Sequence, residues 1–300
     1  MRIKDIELEN ISRYRGELMG IAMLFIILFH VSLPRNDLFF GLRRMGNIGV
    51  DMFLFLSGIG LWFSWIKTPS ARHFFMKRYL RVYPAWLIVA CFYYIPRFHG
   101  GDLMAWIDLI GDITINWDFW LHDELTFWYI PATMLLYCFA PAYMELIRRH
   151  PIYRWLVVVM ILWCVLVQYV TPIHQVVGHI EIFWSRVPIF FIGIFLEQSR
   201  HGLFPLYIER MLYIPLTLTT ILLLNRVLRR TPRWFNKAFK FVGALSLECY
   251  LIHIHFVLDH LPKPWGYWLT FFVCLLITLP AAYLLSKIVN LISKSIEKAL

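Results

Sequence analysis

The sequence has few charged residues for its length. Asp, Glu, Lys and Arg make up only 16% of its 300 residues, whereas 60% are hydrophobic and 18% are aromatic. A water-soluble domain of this size needs more polar surface than such a composition provides. The sequence also has no internal repeats or low-complexity tracts, so it gives no sign of the inverted halves that many transporters contain. The composition therefore predicts a polytopic membrane protein.

Motifs typical of several well-known chemistries are also missing. The sequence contains no Gly-rich phosphate loop, no zinc motif and no Gly-x-Ser-x-Gly nucleophile elbow. All five cysteines lie within apolar runs, where they act as small hydrophobic residues, and their spacing indicates neither a disulfide framework nor a metal site. They are Cys91, Cys138, Cys164, Cys249 and Cys274. We expect no metal cofactor.

The net charge of +10 does not indicate a nucleic-acid partner. A nucleic-acid binder needs its basic residues on a water-exposed face, whereas here they cluster between apolar runs, as cytoplasmic anchoring charges do. The partner that these charges predict is the lipid bilayer. The first apolar run is not followed by a small-residue cleavage pattern, so we expect it to be a retained span and not a removed signal peptide.

The apolar runs repeatedly approach the roughly 20 residues that a helix needs to cross about 30 Å of hydrocarbon. Helices satisfy their own backbone hydrogen bonds in that setting. We predict an all-α polytopic bundle of about 8–10 transmembrane segments that forms one integral-membrane domain, residues 1–300. The predicted segments are 18–35, 46–65, 80–96, 127–147, 154–171, 184–198, 205–224, 241–259 and 265–291.

The basic residues orient these segments. They precede the first segment and follow the second and the fourth, which predicts a multi-pass protein of the inner (cell) membrane with a cytoplasmic N-terminus. The connection 97–126 is acidic and is expected outside, and its part 102–115 has the apolar spacing of an interfacial helix. The basic residues that set this orientation include Arg2, Lys4, Arg13, Arg15, Lys67, Arg72, Lys77, Arg78, Arg81, Arg148, Arg149 and Arg154.

One segment conflicts with this orientation. The basic loop 226–240 would lie outside if 205–224 crossed the membrane completely. That segment also contains Glu209, Arg210 and Pro215, which suit a broken, re-entrant or interfacial element better than a clean span. We expect this loop and both termini to be cytoplasmic.

Two ionisable residues interrupt neighbouring apolar runs, His30 near the end of 19–34 and Asp51 in the first third of 46–65. An ionised group at mid-membrane costs about 2.5–3.5 kcal/mol on insertion scales, so such residues indicate a functional site. A neutral imidazole can act as a general base near neutral pH, and a nearby carboxylate can orient it. The structural alternatives are that His30 bonds a neighbouring backbone or hydroxyl group, and that Asp51 caps a helix.

Five stretches of the sequence occur together in one known family. They are 49–58 (GVDMFLFLSG), 75–84 (FMKRYLRVYP), 127–130 (FWYI), 186–193 (RVPIFFIG) and 243–253 (GALSLECYLIH). Together with the preceding histidine, they make the sequence resemble the membrane-bound acyltransferase 3 family over nearly its whole length. The resemblance implies transfer of an acyl group, commonly acetyl from acetyl-CoA, to a hydroxyl of a glycan, peptidoglycan, a lipid-linked sugar or a small molecule.

The sequence departs from this family at two points. Met19 stands where the family has a basic residue, eleven positions before the histidine, and Arg15 is the nearest substitute. Between Gly193 and Gly243 there is room for one segment where the family has two. A degenerate family member that does not catalyse is therefore one alternative. A polytopic transporter or flippase is another, because intramembrane His, Asp and Arg also occur in proton-coupled carriers.

Three arginines complete the predicted site. Arg78 and Arg81 lie three residues apart on one helix face near the cytoplasm, so we expect them to bind the phosphates of coenzyme A. Positive-inside anchoring is their alternative, and it is the preferred interpretation of Arg72 and Lys77. Arg186 enters a span from the outer side and should meet a carboxylate, with Glu181 as a candidate, or else a substrate or an oxyanion. Its alternative is to extend to the membrane interface.

The predicted catalytic residues are thus His30 as the base, Asp51 as its partner, and Arg186. The acyl donor would reach His30 from the cytoplasm, and the acceptor, a carbohydrate or lipid-linked glycan, would come from outside or from the membrane. By the resemblance, His253 is a secondary or structural polar group. His253 and His255 face different sides of a helix, which argues against a shared metal site. His122, Asp123 and Glu124 are predicted to lie in a solvated outer loop that could contact an acceptor.

Overall fold

The structure is a computed structural model that describes residues 8–198, 213–262 and 265–299. These residues form helices and connecting turns, with no strand among them, so the predicted all-α class is confirmed. Short 3₁₀ turns and a π-helix, His253–Val257, join some of the helices. In chain order the helices are α1 (Leu8–Arg13), α2 (Arg15–His30), α3 (Phe40–Met45), α4 (Ile48–Lys67), α5 (Ala71–Tyr94), α6 (Leu103–Ile115), α7 (Trp117–Leu121), α8 (Tyr129–Arg149), α9 (Leu156–Tyr169), α10 (Thr171–Val177), α11 (Glu181–Trp184), α12 (Val187–Gln198), α13 (Tyr213–Leu228), α14 (Arg233–Ala244), α15 (Ser246–Ile252) and α16 (Tyr267–Ala299).

Several helical segments are long and apolar enough to cross a membrane. Within the described ranges there are five such segments, or six if the bent pair formed by 233–244 and 246–260 is one span. The two parts of that pair meet at an angle of 59°. The protein is therefore a multi-pass membrane protein. The five segments are Phe40–Lys67, Tyr129–Arg149, Pro151–Tyr169, Thr171–Ile194 and Tyr267–Lys298.

The predicted segment 205–224 lies partly outside the described residues. Its described part belongs to α13, a 16-residue apolar helix that ends at Leu228. The basic stretch that follows forms a turn and then α14, whose apolar and basic residues lie on opposite faces. The stretch 102–115 forms the helix α6, and the Asp102 side chain caps its N-terminus by accepting a hydrogen bond from the backbone N–H of Ala105. The position of α6 at the membrane interface stays a prediction.

The chain divides into two compact units, and the membrane-spanning helices α4 and α16 contribute to both. The first unit is Met1–Phe63 with Ile189–Leu284, and the second is Ser64–Pro188 with Leu285–Leu300. The assignment of residues 1–300 to one functional domain stays a prediction.

In the first unit, α2 packs closely against α14 and α4 through glycines. A Cβ atom on Gly20 would overlap the backbone of Phe239, and one on Gly243 would overlap the backbone of Gly16. On the α4 side, Gly49 approaches Ala22 in the same way. Small residues allow membrane helices to approach backbone to backbone, which increases their van der Waals contact. The helix that ends at His30 is therefore held on two sides.

In the second unit, the turn between α6 and α7 is ordered by Asn116. This residue adopts a left-handed conformation, with φ of 58°, and is completely buried. Its side-chain oxygen accepts a hydrogen bond from the Tyr94 hydroxyl at 3.0 Å, and its amide nitrogen donates to the Thr126 carbonyl at 2.8 Å. Asparagine tolerates this backbone conformation better than most residues, so the turn and its hydrogen bonds depend on the same side chain.

The second unit also contains an apolar cavity of about 470 Å³ beside α5. It is lined by the segment Phe75–Ile88 on one side and by Ile292 and Ile296 from the end of α16 on the other. The Ser293 hydroxyl donates to the Leu80 carbonyl at 2.8 Å and ties the two helices together at this level.

Candidate active site

His30 and His253 form a hydrogen-bonded pair in the first unit. The distance between His253 Nε2 and His30 Nδ1 is 3.2 Å, and the two ring centroids are 5.0 Å apart. His30 is the last residue of α2, and His253 is the first residue of the π-helix. His253 is completely buried, whereas His30 is partly accessible. The two residues are 223 positions apart in the sequence, so only the packing of the helices brings them together.

The hydrogen bonds define which nitrogen of each ring carries the proton. His253 Nδ1 lies 3.0 Å from the Cys249 carbonyl and 2.9 Å from the Tyr250 carbonyl. Because carbonyl oxygens only accept, this nitrogen must be the donor, and in a neutral ring Nε2 is then an acceptor. His30 Nδ1 lies 2.8 Å from the Ile26 carbonyl, and by the same argument it carries a proton. That N–H also points to His253 Nε2.

His30 Nε2 therefore has the free lone pair of its ring. Among the described residues, none hydrogen-bonds to this atom. A neutral imidazole with its Nδ1–H bonded to the protein and its Nε2 lone pair open is the arrangement that a general base requires.

Two further contacts hold the end of α2 in place. The Arg43 Nε–H donates to the Val31 carbonyl at 2.8 Å, and its guanidinium lies 5.5 Å from the centre of the Phe29 ring. The Tyr267 hydroxyl donates to the Leu28 carbonyl at 2.9 Å. The Tyr267 bond satisfies a carbonyl in the last turn of the helix, which has no partner within the helix itself, and the Arg43 bond satisfies the carbonyl of Val31, the residue that follows the helix.

Asp51 lies at a different level from His30. The approach of Gly49 to Ala22 and the bond from Arg43 to the Val31 carbonyl define an antiparallel register between α2 and the segment containing α3 and α4. His30 is level with Arg43 in this register. Asp51 is eight residues further along, a separation of roughly 12 Å at 1.5 Å per residue. Asp51 is buried, with 6% of its surface exposed, and His253 occupies the position beside His30 that the sequence suggested for Asp51.

Arg78 and Arg81 lie on α5 in the second unit, and both are partly buried, whereas Arg72 and Lys77 are exposed. The Arg78 guanidinium lies 5.9 Å from the centre of the Phe74 ring. Within the described part of the chain, its buried Nε has no hydrogen-bond partner. A buried donor without an acceptor is costly, so this group is suited to an anion.

Arg186, also in the second unit, immediately precedes α12. Its guanidinium donates to the Ile182 carbonyl at 3.1 Å and lies 5.0 Å from the centre of the Trp128 ring, in cation–π contact. The suggested partner Glu181 has an oxygen 3.5 Å from His174 Nδ1. The roles predicted for the three arginines and for Asp51 stay predictions.

Asp112, Asp118 and His122 form a cluster in the second unit that the sequence analysis does not predict. One potential ligand atom from each lies within 4.8 Å of the others, a spacing that could hold a metal ion. Asp112 accepts a hydrogen bond from the Asp118 backbone N–H at 2.9 Å. Burial, followed by the charge of Asp118, raises the pKa of Asp112 to about 6. The three residues are separated by six and four positions across a turn, a spacing that matches no common metal motif.

The residues that the sequence analysis named in this loop have separate contacts. His122 lies 3.4 Å from Asp118, its neighbour one helical turn earlier. Asp123 pairs with His179, whose ring also contacts the Phe119 carbonyl. Asp123 and Glu124 are exposed. A role for this loop in acceptor binding stays a prediction.

Comparison with known protein families gave one match. A family model described as an acyltransferase domain, of the acyltransferase 3 type, matches residues 18–225. The match includes His30, Asp51, Arg78, Arg81 and Arg186, whereas the stretch 243–253 that contains His253 lies beyond it. No curated protein and no solved structure matches the chain significantly. The match covers more than two thirds of the 300 residues.

Proposed function

The chain belongs to the acyltransferase 3 family, and from this membership we propose that it transfers an acetyl group from acetyl-CoA to a hydroxyl of a carbohydrate or lipid-linked glycan. It is an integral-membrane acyltransferase. The identity of the donor, the class of acceptor and the role of His30 are the parts that we propose.

One observation supports the proposed base more than any other. His30 Nδ1 is 2.8 Å from the Ile26 carbonyl, so its proton is fixed on that side of the ring and Nε2 has the lone pair. An acceptor hydroxyl within hydrogen-bonding reach of Nε2 could pass its proton to that atom as it attacks. The hydrogen bond to Ile26 is also the contact that the structural alternative predicts, so the support for a base comes from Nε2, which has no hydrogen-bond partner among the described residues.

The proposed reaction conserves atoms and charge. The acceptor hydroxyl gives its proton to His30 Nε2 while its oxygen forms a C–O bond to the thioester carbonyl carbon. The tetrahedral intermediate collapses and the C–S bond breaks, releasing the thiolate of coenzyme A. The proton on His30 Nε2 then passes to that sulfur, which restores the neutral base. The step needs no oxidant, reductant or metal ion.

The arginines have roles in this proposal that suit their charge. Arg78 and Arg81 would bind phosphates of coenzyme A, since a guanidinium can form two parallel hydrogen bonds to phosphate. The buried Nε of Arg78, which has no hydrogen-bond partner among the described residues, supports this role. Arg186 would stabilise the negative charge that develops on the carbonyl oxygen. Asp51 would act away from the His30 imidazole, and the register of α2 against α4 supports this.

The test is consumption of the thioester by purified protein. The protein, in detergent or lipid nanodiscs, is given acetyl-CoA labelled in the acetyl group together with free sugars or lipid-linked glycans, and both released coenzyme A and labelled acceptor are measured by mass spectrometry. We expect His30→Ala to lower the rate by about 10²–10⁴-fold, the usual contribution of general base catalysis. His260→Ala is the matched control, because His260 is an exposed histidine in the same unit.

Two results would contradict the proposal. One is the absence of acceptor-dependent coenzyme A release by the wild-type protein across the panel. The other is turnover that persists unchanged in His30→Ala. Solute uptake without thioester consumption would instead support the transporter alternative.

A further inference from the structure

We infer that His253 is a positioning residue that holds His30 in the tautomer and orientation needed for proton abstraction. This inference rests on the proposed function, because it concerns the base of that reaction. In many hydrolases a carboxylate orients the catalytic histidine. Here a neutral imidazole, that of His253, would take this role.

The ring of His253 is itself held rigidly. Its Nδ1–H donates to two carbonyls of the preceding turn, those of Cys249 and Tyr250, and the side chain is completely buried. Rotation of this ring would break both bonds and leave buried polar groups without partners, which is costly. Its Nε2 is therefore a fixed acceptor, directed at His30 from 3.2 Å.

The backbone at this point is unusual. His253 begins a π-helix, and the N–H of Leu258 bonds to the His253 carbonyl five residues earlier. Single π-turns within helical segments occur frequently at functional sites because the extra residue redirects neighbouring side chains. Here the wider turn starts at the residue that reaches His30.

The pair also has a chemical consequence for the reaction. After His30 Nε2 accepts the acceptor proton, the ring becomes a cation, and its Nδ1–H becomes a stronger donor. His253 Nε2 and the Ile26 carbonyl then both accept from that N–H. The interaction is stronger with the charged ring than with the neutral one, so it favours the transition state over the ground state.

The experiment compares three variants of the full-length protein under the acetyl-transfer assay. His253→Leu removes the acceptor for His30, and we expect kcat to fall on the order of 10–100-fold, as for other residues that orient a reactive group, with an unchanged KM for acetyl-CoA. His253→Gln can place its amide oxygen near the position of Nε2 and should recover part of the loss. His260→Leu is the matched control, since it makes the same substitution at an exposed histidine of the same unit and should change kcat by less than about threefold.

A comparison of two amides covers the case in which His253→Leu does not fold. His253→Gln reaches the position of Nε2, whereas the shorter His253→Asn reaches only that of Nδ1. We expect the Gln variant to be several-fold more active than the Asn variant at equal thermal stability.

Solid-state NMR of protein labelled with ¹⁵N-histidine gives a readout independent of turnover, because the nitrogen shifts identify the protonated atom. The His30 signal, assigned by its loss in His30→Ala, should show the Nδ1–H form.

The outcomes separate this inference from the proposed function. If the wild type is active, His30→Ala is inactive and His253→Leu behaves like His260→Leu, the positioning role is wrong and the function stands. Equal activity of the Gln and Asn variants would also show that His253 does not position His30. An Nε2–H form of His30 would show the same. If the wild type does not release coenzyme A at all, the proposed function itself fails.

Discussion

The guanidinium of Arg15 lies directly against Gly60, at a point where any side chain on residue 60 would overlap it. A Cβ atom on Gly60 would stand 2.6 Å from the Arg15 guanidinium carbon. The Arg15 Nε–H donates to the Leu56 carbonyl at 2.8 Å. Met19, which replaces the basic residue that the family has at that position, lies one turn further along α2 and is only partly buried. Arg15, the basic residue nearest to Met19 in the sequence, is therefore directed at α4.

We predict that Gly60→Val destabilises the protein through Arg15. The added side chain should displace the guanidinium and break its hydrogen bond to the Leu56 carbonyl, which should cost about 1.5–3 kcal/mol and lower the melting temperature by several degrees. In an Arg15→Ala background the same substitution should cost much less, and a double-mutant cycle should give a coupling of at least about 0.5 kcal/mol. Additive effects of the two substitutions would contradict the contact. Gly41→Val is the control, because no atom lies within 4 Å of a Cβ at that glycine.

Much of the helical layout could be predicted from apolar run length. The segments 127–147 and 265–291 correspond to α8 and α16, because a run of about 20 apolar residues has few other stable arrangements in a bilayer. Hydropathy predicts one span over 241–259, whereas the structure contains a break at Leu245 and then a π-turn. Hydropathy reports only that a segment is apolar, so it cannot detect a bend that local hydrogen bonding produces.

The site could be predicted only in part. His30 can be predicted from composition alone, because a polar residue is conspicuous in an apolar run. The same argument predicts Asp51, the ionisable residue of the next run, as its partner. The contacts between the two segments instead put His30 level with Arg43, and composition alone contains no information on this register. The contact with His253 depends on the packing of α15 and the π-turn beside α2, for which the sequence has no local signal.

The coenzyme A site can be tested on α5. Arg78→Ala combined with Arg81→Ala should raise the KM for acetyl-CoA by about tenfold or more, because charge-assisted hydrogen bonds to phosphate contribute roughly 1.5–3 kcal/mol each. The kcat at saturating donor should change less. Arg72→Ala combined with Lys77→Ala is the matched control, since these residues are exposed cations of the same segment. Equal effects of the two pairs on KM would mean that Arg78 and Arg81 act only as anchoring charges.

The packing of α14 against α2 should tolerate no side chain at Gly243. A Cβ atom there would overlap the carbonyl oxygen of Gly16, which is backbone and cannot move aside. We expect Gly243→Ala to lower the melting temperature by several degrees. Gly16→Ala should have a smaller effect, because the nearest atom to its Cβ is the flexible Lys240 side chain at 3.2 Å. A larger effect at Gly16 than at Gly243 would contradict this packing.

Asp112 should make stability depend on pH in a specific direction. It lies in α6, outside the candidate membrane spans, and burial raises its pKa from 3.8 to about 6. The folded protein therefore holds this proton more tightly than the unfolded chain does. Its contribution to stability is complete below about pH 4 and is lost as the pH rises through about 6.

Asp112→Asn removes this titration while keeping an oxygen for the Asp118 backbone N–H. As the pH rises from 4 to 7, the melting temperature of the variant should therefore increase by a few degrees relative to that of the wild type. Both proteins are measured with a chelator, because Asp112, Asp118 and His122 could hold a metal ion that would stabilise only the wild type. Glu124→Gln is the control, since Glu124 is an exposed carboxylate of the same unit. If the difference in melting temperature between Asp112→Asn and the wild type does not change with pH, Asp112 does not titrate between pH 4 and 7 and the prediction is wrong.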